Sequence, residues 1–323
     1  MPLYPSYLRA FEDKKLDKAI KELTLMMESC SLCPRNCRVN RLNNEKGFCK
    51  TGYLPKVYSF MSHKGEEPPI SGKNGSGTIF FSNCNMGCLY CQNYEFSQLG
   101  KGREVSFEEL AGFMLNLQDL GCHNINLVTP THILPQILTA LRIAISQGLK
   151  IPLVYNTSGF EAREALKLLE GIVDIYLTDM RYADAKIAER YSLAFGYPEY
   201  SKRALIEMRR QINKDEFDNS GIMRRGLIIR HLVLPNGLSG TKEVMRFIAE
   251  EVSINSLISL MSQYLPYYKA DKDELVARRL KIKEYEEAKR IMKGFGLSDG
   301  WVQDSFGLER FAGVNIKSVL KNG

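Results

Sequence analysis

Cys84, Cys88 and Cys91 fall in one short run, Ser82-Asn83-Cys84-Asn85-Met86-Gly87-Cys88-Leu89-Tyr90-Cys91-Gln92-Asn93, with the spacing C-x3-C-x2-C. Three soft thiolates can hold a cubane [4Fe–4S] cluster and leave its fourth iron open to another molecule. An iron with a free position is a site for chemistry, whereas a fully ligated cluster stores electrons or staples a fold. A second group precedes it, Cys30-x2-Cys33-x3-Cys37-x11-Cys49. Its four thiols can close a metal site, as a second [4Fe–4S] cluster or a structural zinc. Such a centre would relay electrons or hold a small module together. The remaining cysteine, Cys122, stands alone, so the pattern is that of ligand groups in a reducing, cytoplasmic setting rather than a disulfide framework.

The three-cysteine run needs a rigid support. Thr78-Ile79-Phe80-Phe81-Ser82 is β-branched and aromatic and follows Gly75 and Gly77, which predicts a short buried strand ending at the cysteines. From there strands and helices alternate. Ser106-x2-Glu109 is a capping box opening a helix to about Leu120. Further strands are predicted over Asn124–Val128, Leu153–Tyr155, Val173–Leu177, Leu227–Leu234 and Leu257–Gln263. Helices are predicted over Pro135–Gln147, Glu161–Glu170, Ala185–Ile212 and Lys242–Glu251. This rhythm gives parallel pairing, and six units fall short of the eight that close a full barrel. The expected architecture is an α/β open (β/α)6 partial barrel over residues 66–270. An N-terminal helix, Phe11–Glu28, and the four-cysteine module occupy residues 1–65. A C-terminal extension fills 271–323, with a helix over Lys281–Phe295 and Trp301 as a packing anchor. In α/β folds chemistry gathers at the carboxyl ends of strands, where the cysteine run begins.

A strand followed by Cys-x3-Cys-x2-Cys, with the aromatic Tyr90 just before the third cysteine, resembles the signature of the radical S-adenosylmethionine (SAM) enzymes. Gln92-Asn93 is similar to the pyruvate formate-lyase activating enzyme branch. So are Cys33-Pro34-Arg35-Asn36-Cys37-Arg38-Val39-Asn40-Arg41, Gly75-Ser76-Gly77-Thr78-Ile79-Phe80-Phe81 and Val128-Thr129-Pro130-Thr131-His132. The resemblance spans roughly Cys30 to Leu297. It implies a cluster on Cys84, Cys88 and Cys91 whose open iron binds the SAM amino and carboxylate groups. An electron then splits SAM into methionine and a 5′-deoxyadenosyl radical that takes a hydrogen atom from substrate. In the narrow form, that substrate is a glycine of a glycyl-radical enzyme. The alternatives are another peptide, RNA or small molecule as substrate, or a non-enzymatic iron–sulfur electron carrier.

SAM presents an ammonium, a carboxylate, a ribose diol and an adenine, and strand ends supply candidate partners. Tyr90 is placed to flank the adenine. Activating enzymes carry a Gly-Gly-Glu-type run after the second strand, and this chain has Thr129-Pro130-Thr131-His132. The hydroxyls of Thr129 and Thr131 can accept from an ammonium, but the carboxylate is missing, and Glu66 or Glu67 is a candidate substitute. Asn156 and Ser158 share a side by strand period and suit the carboxylate or ribose. Asp179-x-Arg181 resembles the Asp-x-Lys pattern, with Asp179 for ribose and Arg181 for carboxylate. Arg230-His231-Leu232-Val233-Leu234-Pro235 resembles an Arg-x-Val-x-Val-Pro run, in which His231 is a candidate adenine or substrate contact; His132 is a second such histidine. Gln263 and Tyr264 end the sixth strand on the substrate side.

At 323 residues, 44% hydrophobic and 25% charged, the composition is that of a soluble enzyme, without an apolar run of membrane length or an N-terminal secretion signal. A net charge of +7 suits an acidic partner, such as a flavodoxin- or ferredoxin-type reductant, though scattered surface Lys and Arg are the simpler account of any one patch. There is no interleaved basic–aromatic motif for nucleic acid, no phosphate-binding glycine loop and no His-Glu-x2-His helix.

Overall fold

The structure is a computed structural model that describes residues 4–303. Helices α1 (Ser6–Glu12) and α2 (Lys15–Leu25) come first, followed by the cysteine-rich segment and strand β1 (Lys56–His63). A one-turn helix, α3 (Pro68–Ser71), leads into β2 (Ser76–Phe81), then α4 (Tyr94–Ser97), β3 (Arg103–Glu104) and α5 (Phe107–Asp119). The rhythm continues through β4 (Ile125–Val128), α6 (Leu134–Ser146), β5 (Leu153–Thr157), α7 (Arg163–Lys167) and β6 (Ile175–Asp179). Helices α8 (Ala185–Ser192) and α9 (Tyr197–Ile212) precede β7 (Glu216–Phe217), β8 (Met223–Leu232), α10 (Thr241–Phe247) and β9 (Leu257–Met261). Helix α11 (Ile282–Gly294) and β10 (Gly300–Val302) complete the described chain.

The sheet runs in the order β10-β9-β8-β6-β5-β4-β2-β1-β3. The six predicted strands stand side by side in sequence order, all parallel. β10 adds a seventh parallel strand beside β9, so the sheet exceeds the six expected strands. β1 lies antiparallel on β2 and carries β3. The sheet therefore extends past residues 66–270 at both ends. β10 escaped sequence reading because it has three residues, and because Gly300 adopts φ 119° to lie against the Ile258 backbone. The part of the C-terminal extension beyond residue 303 lies outside the described residues.

Strand alternation sorts the side chains. Leu127, Tyr155, Tyr176, Leu227 and Ile229 face the helices and join the main core. The opposite face carries Val154, Ile175, Leu177 and Ile228, which pack on Ile70 of α3 and fill the interior at one level. The same strands then present polar groups towards their carboxyl ends: Asn156 follows Val154, Asp179 follows Leu177, and Arg230 follows Ile228. At the other end of the strands α1 docks by Tyr7, whose hydroxyl donates to the Ile151 carbonyl (2.7 Å), and by Ser6, whose amide donates to Asp174 (2.8 Å).

Two predicted helices are interrupted. Phe11–Glu28 breaks at Lys14, which adopts a left-handed φ of 59° and sets α1 and α2 at an angle. Ala185–Ile212 breaks at Leu193, φ 49°, before Gly196 and Pro198 restart α9. Apolar spacing persisted across both breaks and hid them.

Candidate functional site

Cys84, Cys88 and Cys91 all line one cavity of about 440 Å³ at the carboxyl ends of the parallel strands. The run leaves β2 and is pinned to the end of α8, where the Gly87 amide donates to the Ser192 carbonyl (2.8 Å) and the Leu89 amide to Tyr191 (2.9 Å). Gly87 lets the loop lie close to Leu193, where a Cβ would sit 2.8 Å from Leu193 Cδ1. Each sulfur has a donor close by. The Met86 amide lies 3.3 Å from Cys84 Sγ, Arg181 Nη1 and Ser192 Oγ lie 3.2 and 3.0 Å from Cys88 Sγ, and Ser97 Oγ lies 3.1 Å from Cys91 Sγ. Burial pushes the Cys84 thiol far up and the Cys91 thiol up to about 11. Without a metal the Cys84 and Cys91 thiols therefore stay protonated; a bound iron would take the thiolates and release the protons.

The donor set fits the implied cluster: three thiols, a row of hydrogen bonds to sulfur, and open volume beside them rather than a fourth ligand. The neighbouring strand ends fit SAM. Tyr90 lines the cavity, packs edge-on against Tyr264 (5.5 Å) and joins a hydroxyl chain through Tyr182 to Ser192 and Cys88. Asn156, Ser158, Asp179 and Arg181 line it as well. Ser158 Oγ is buried with no hydrogen-bond partner among the described residues, a polar group prepared for something absent. Arg181 grips Asp179 through Nε (2.8 Å) and Nη2 (2.5 Å) while its other nitrogen reaches Cys88. Thr129 lines the cavity with φ 61°, a left-handed backbone that a β-branched residue adopts only under strain. That conformation stands where the resemblance places glycine.

Three predicted residues fall elsewhere. Thr131 is fully buried, and its hydroxyl donates to Glu161 (2.6 Å), which also binds Thr157 and Tyr155. Burial raises the Glu161 carboxyl above its ordinary range. His231 lies on the helix-facing side of β8, one residue out of phase with Arg230. Its Nδ1 donates to the Met180 carbonyl (2.6 Å) and its Nε2 accepts from Thr241 (3.0 Å). It is a satisfied core residue, and burial lowers it to about 4. His132 lines a different chamber, the one formed by Cys30, Cys33, Cys37 and Cys49. Among the described residues, no three Cys, His, Asp or Glu side chains converge tightly enough to share one metal ion.

Sequence reading missed the cavity's charged floor. Arg230 Nε and Nη2 donate to Glu67 (2.6 Å each), and Nη2 also reaches Glu66. Asn126 holds Glu66 from below (3.1 Å), and Arg230 touches Asn156 (3.4 Å). Burial alone would raise Glu67, but Arg230 outweighs it and holds the carboxyl below its ordinary range. Glu66 and Glu67 do reach the cavity, as expected of them, but already paired. Gln263, Tyr264 and Trp301 line the opposite wall, so Trp301 is more than a packing anchor. The missed partner was Arg230, whose period-2 position beside His231 was the available signal.

A profile described as the Radical SAM superfamily matches residues 78–223, the stretch that carries the cysteine run and the strands behind the cavity. A relative in Methanocaldococcus jannaschii, described as an uncharacterized protein, is 31% identical over 292 residues, covering 87% of this chain and 79% of the relative. The chain belongs to the radical SAM superfamily. Similar solved structures include HydG, a maturase of the [FeFe]-hydrogenase (TM-score 0.47, 12% identity, 71% of this chain and 52% of that one). Methylornithine synthase PylB is another (TM-score 0.46, 13% identity, 68% and 61%). A third is SuiB of Streptococcus suis, solved with its precursor peptide (TM-score 0.47, 11% identity, 70% and 47%). This radical SAM chain thus spans about half to three fifths of the length of those structures. Among the described residues no helix is long and apolar enough to cross a membrane.

Proposed function

We propose that this radical SAM protein is an enzyme that abstracts a hydrogen atom from a substrate held in the 440 Å³ cavity beside Cys84, Cys88 and Cys91. The observation that carries the reading is the shared cavity: three thiols, the Asp179–Arg181 pair and the unpartnered Ser158 hydroxyl face one volume. With a [4Fe–4S] cluster and SAM bound, the group supplied to this site is a 5′-deoxyadenosyl radical, made by one electron from a flavodoxin- or ferredoxin-type donor. The chain's own residues bind and exclude. Arg181 orients the Cys88 sulfur and offers a guanidinium beside it for a carboxylate. Ser158 and Asn156 offer polar atoms to the ribose or the amino acid end. Tyr90 and Tyr264 wall the cavity with aromatic surface that keeps water away.

Two substrates are supported by different observations. The resemblance to activating enzymes supports a glycine of a glycyl-radical enzyme. Radical modification of a small polar molecule is favoured by the charged floor, where Glu66 and Glu67 share the single guanidinium of Arg230. The pair of carboxylates suits an amine or another cation.

The test is anaerobic. Protein reconstituted with iron and sulfide, reduced and given SAM should form 5′-deoxyadenosine, and Cys88→Ala protein should not. Equal product from both proteins would remove the assignment of the loop.

A further inference from the structure

The four N-terminal cysteines surround one enclosed chamber together with Arg35, Gly47 and His132. All are free thiols, and Cys30, Cys33 and Cys49 are buried. The wall is fitted closely, since a Cβ on Gly47 would lie 2.7 Å from Cys37 Cβ and 2.8 Å from its sulfur. Two polar nitrogens at this chamber have no hydrogen-bond partner among the described residues: Arg35 Nη2 and His132 Nδ1. His132 is 1% exposed, and its other nitrogen, Nε2, meets a carbonyl that can only accept, Ser82 O at 3.0 Å. A buried imidazole anchored through one nitrogen, with the other left free beside cysteines, is the arrangement found around metals. Arg35 brings a half-buried positive charge, stacked 3.5 Å over Phe48, against which an anionic thiolate-bound centre would be neutralised.

The chamber is also fastened to the loop of the proposed active site at three successive points. Arg35 Nε donates to the Asn85 carbonyl (2.8 Å), Asn83 Nδ2 donates to Thr51 beside Cys49 (3.0 Å), and His132 holds Ser82. These contacts bracket Cys84 on both sides. One arginine side chain spans the gap between the two thiol groups.

We propose that Cys30, Cys33, Cys37 and Cys49 hold an iron–sulfur cluster, bordered by Arg35 and His132, that passes electrons to the Cys84–Cys88–Cys91 site. A structural zinc would also close on four thiolates but carries no redox chemistry, and the three contacts to the Cys84 loop are what favour a redox centre here. A cubane takes four thiolates, one on each iron, which is the number this chamber supplies. In the relay the cluster accepts one electron from a flavodoxin- or ferredoxin-type carrier and gives the same electron up, with no bond made or broken at the chamber. The relay role rests on the function proposed above, whereas the cluster itself does not.

The deciding experiment uses the full chain with Cys84, Cys88 and Cys91 all changed to Ser, reconstituted anaerobically. We expect one cluster's worth of iron and acid-labile sulfide, with the paramagnetic signal of a reduced cluster. Zinc in place of iron, or no metal in protein that melts like the parent, overturns the cluster. If that variant does not fold, Cys33→Ser/Cys49→Ser supplies the count from the other side: it should lose about half of the parent's iron. Unchanged iron overturns the cluster. In the fully reduced parent, spin–spin broadening between two centres should appear and vanish in either cysteine variant. Two clusters without broadening would overturn the relay. None of these readouts depends on SAM cleavage, so failure here and failure of the proposed reaction are separable.

Discussion

The two cysteine groups are tied together through Arg35 and Asn85 and differ in what surrounds them. Cys84, Cys88 and Cys91 hang into a 440 Å³ cavity lined with polar strand ends, while the N-terminal four close around a chamber of about 10 Å³. Each set holds a thiol that burial pushes up, Cys33 to about 12 and Cys91 to about 11. Thiol chemistry is therefore not the distinction. Room beside the thiols is, and it follows from which backbone carries them: a loop leaving a strand end opens on the barrel interior, whereas a self-contained knot of turns fills its own centre. The knot's turns pass through left-handed residues at Asn36, Arg38 and Asn44.

The sharpest way to break this contrast is Cys88→Ala. SAM cleavage should fall below detection while the N-terminal metal remains, as read by 5′-deoxyadenosine and iron in the same sample. Arg181→Lys should come next. Lysine cannot bridge Asp179 and Cys88 with a planar fork, and loss of such support to a metal ligand costs roughly 10- to 100-fold in metal affinity or activity. Iron retention during dilution measures it, and an unchanged off-rate would remove the support role of Arg181.

A control lies outside both groups. His231, lowered to about 4 from an ordinary 6.5, is neutral in the fold and favours the folded state only while neutral. Its contribution is whole above pH 6.5 and is lost as pH falls from 6.5 towards 4, up to about 3 kcal/mol. Denaturant midpoints across that window should drop in the parent and drop less in His231→Gln. On the chamber side, Gly47→Ala should expel the N-terminal metal and destabilise by about 1–3 kcal/mol through overpacking, leaving the loop cluster in place. The smallest effect is expected from Thr129→Gly, which relieves a left-handed backbone and should raise stability by about 1 kcal/mol in a thermal melt. A fall instead would mean that the threonine side chain repays its strain.

What the sequence disclosed and what it withheld follow the range of the interactions. The six inner strands and the cysteine loop were legible because apolar alternation and thiol spacing are local. The capping box at Ser106 and Glu109 was legible for the same reason and is fully formed. His132, Thr131 and His231 were misplaced because each sits beside a strand end but turns by side-chain phase into another compartment. Only the folded chain decides that phase. The Arg230 pairing with Glu66 and Glu67 joins residues 163 and 164 positions apart, a separation that no spacing rule reaches.

Ile70, on its one-turn helix, packs against Val154, Ile175 and Ile228 directly beneath the charged floor. The barrel interior is in consequence a blind alley. The charged floor is therefore reached from the carboxyl side of the strands, the side that carries Cys84, Cys88 and Cys91.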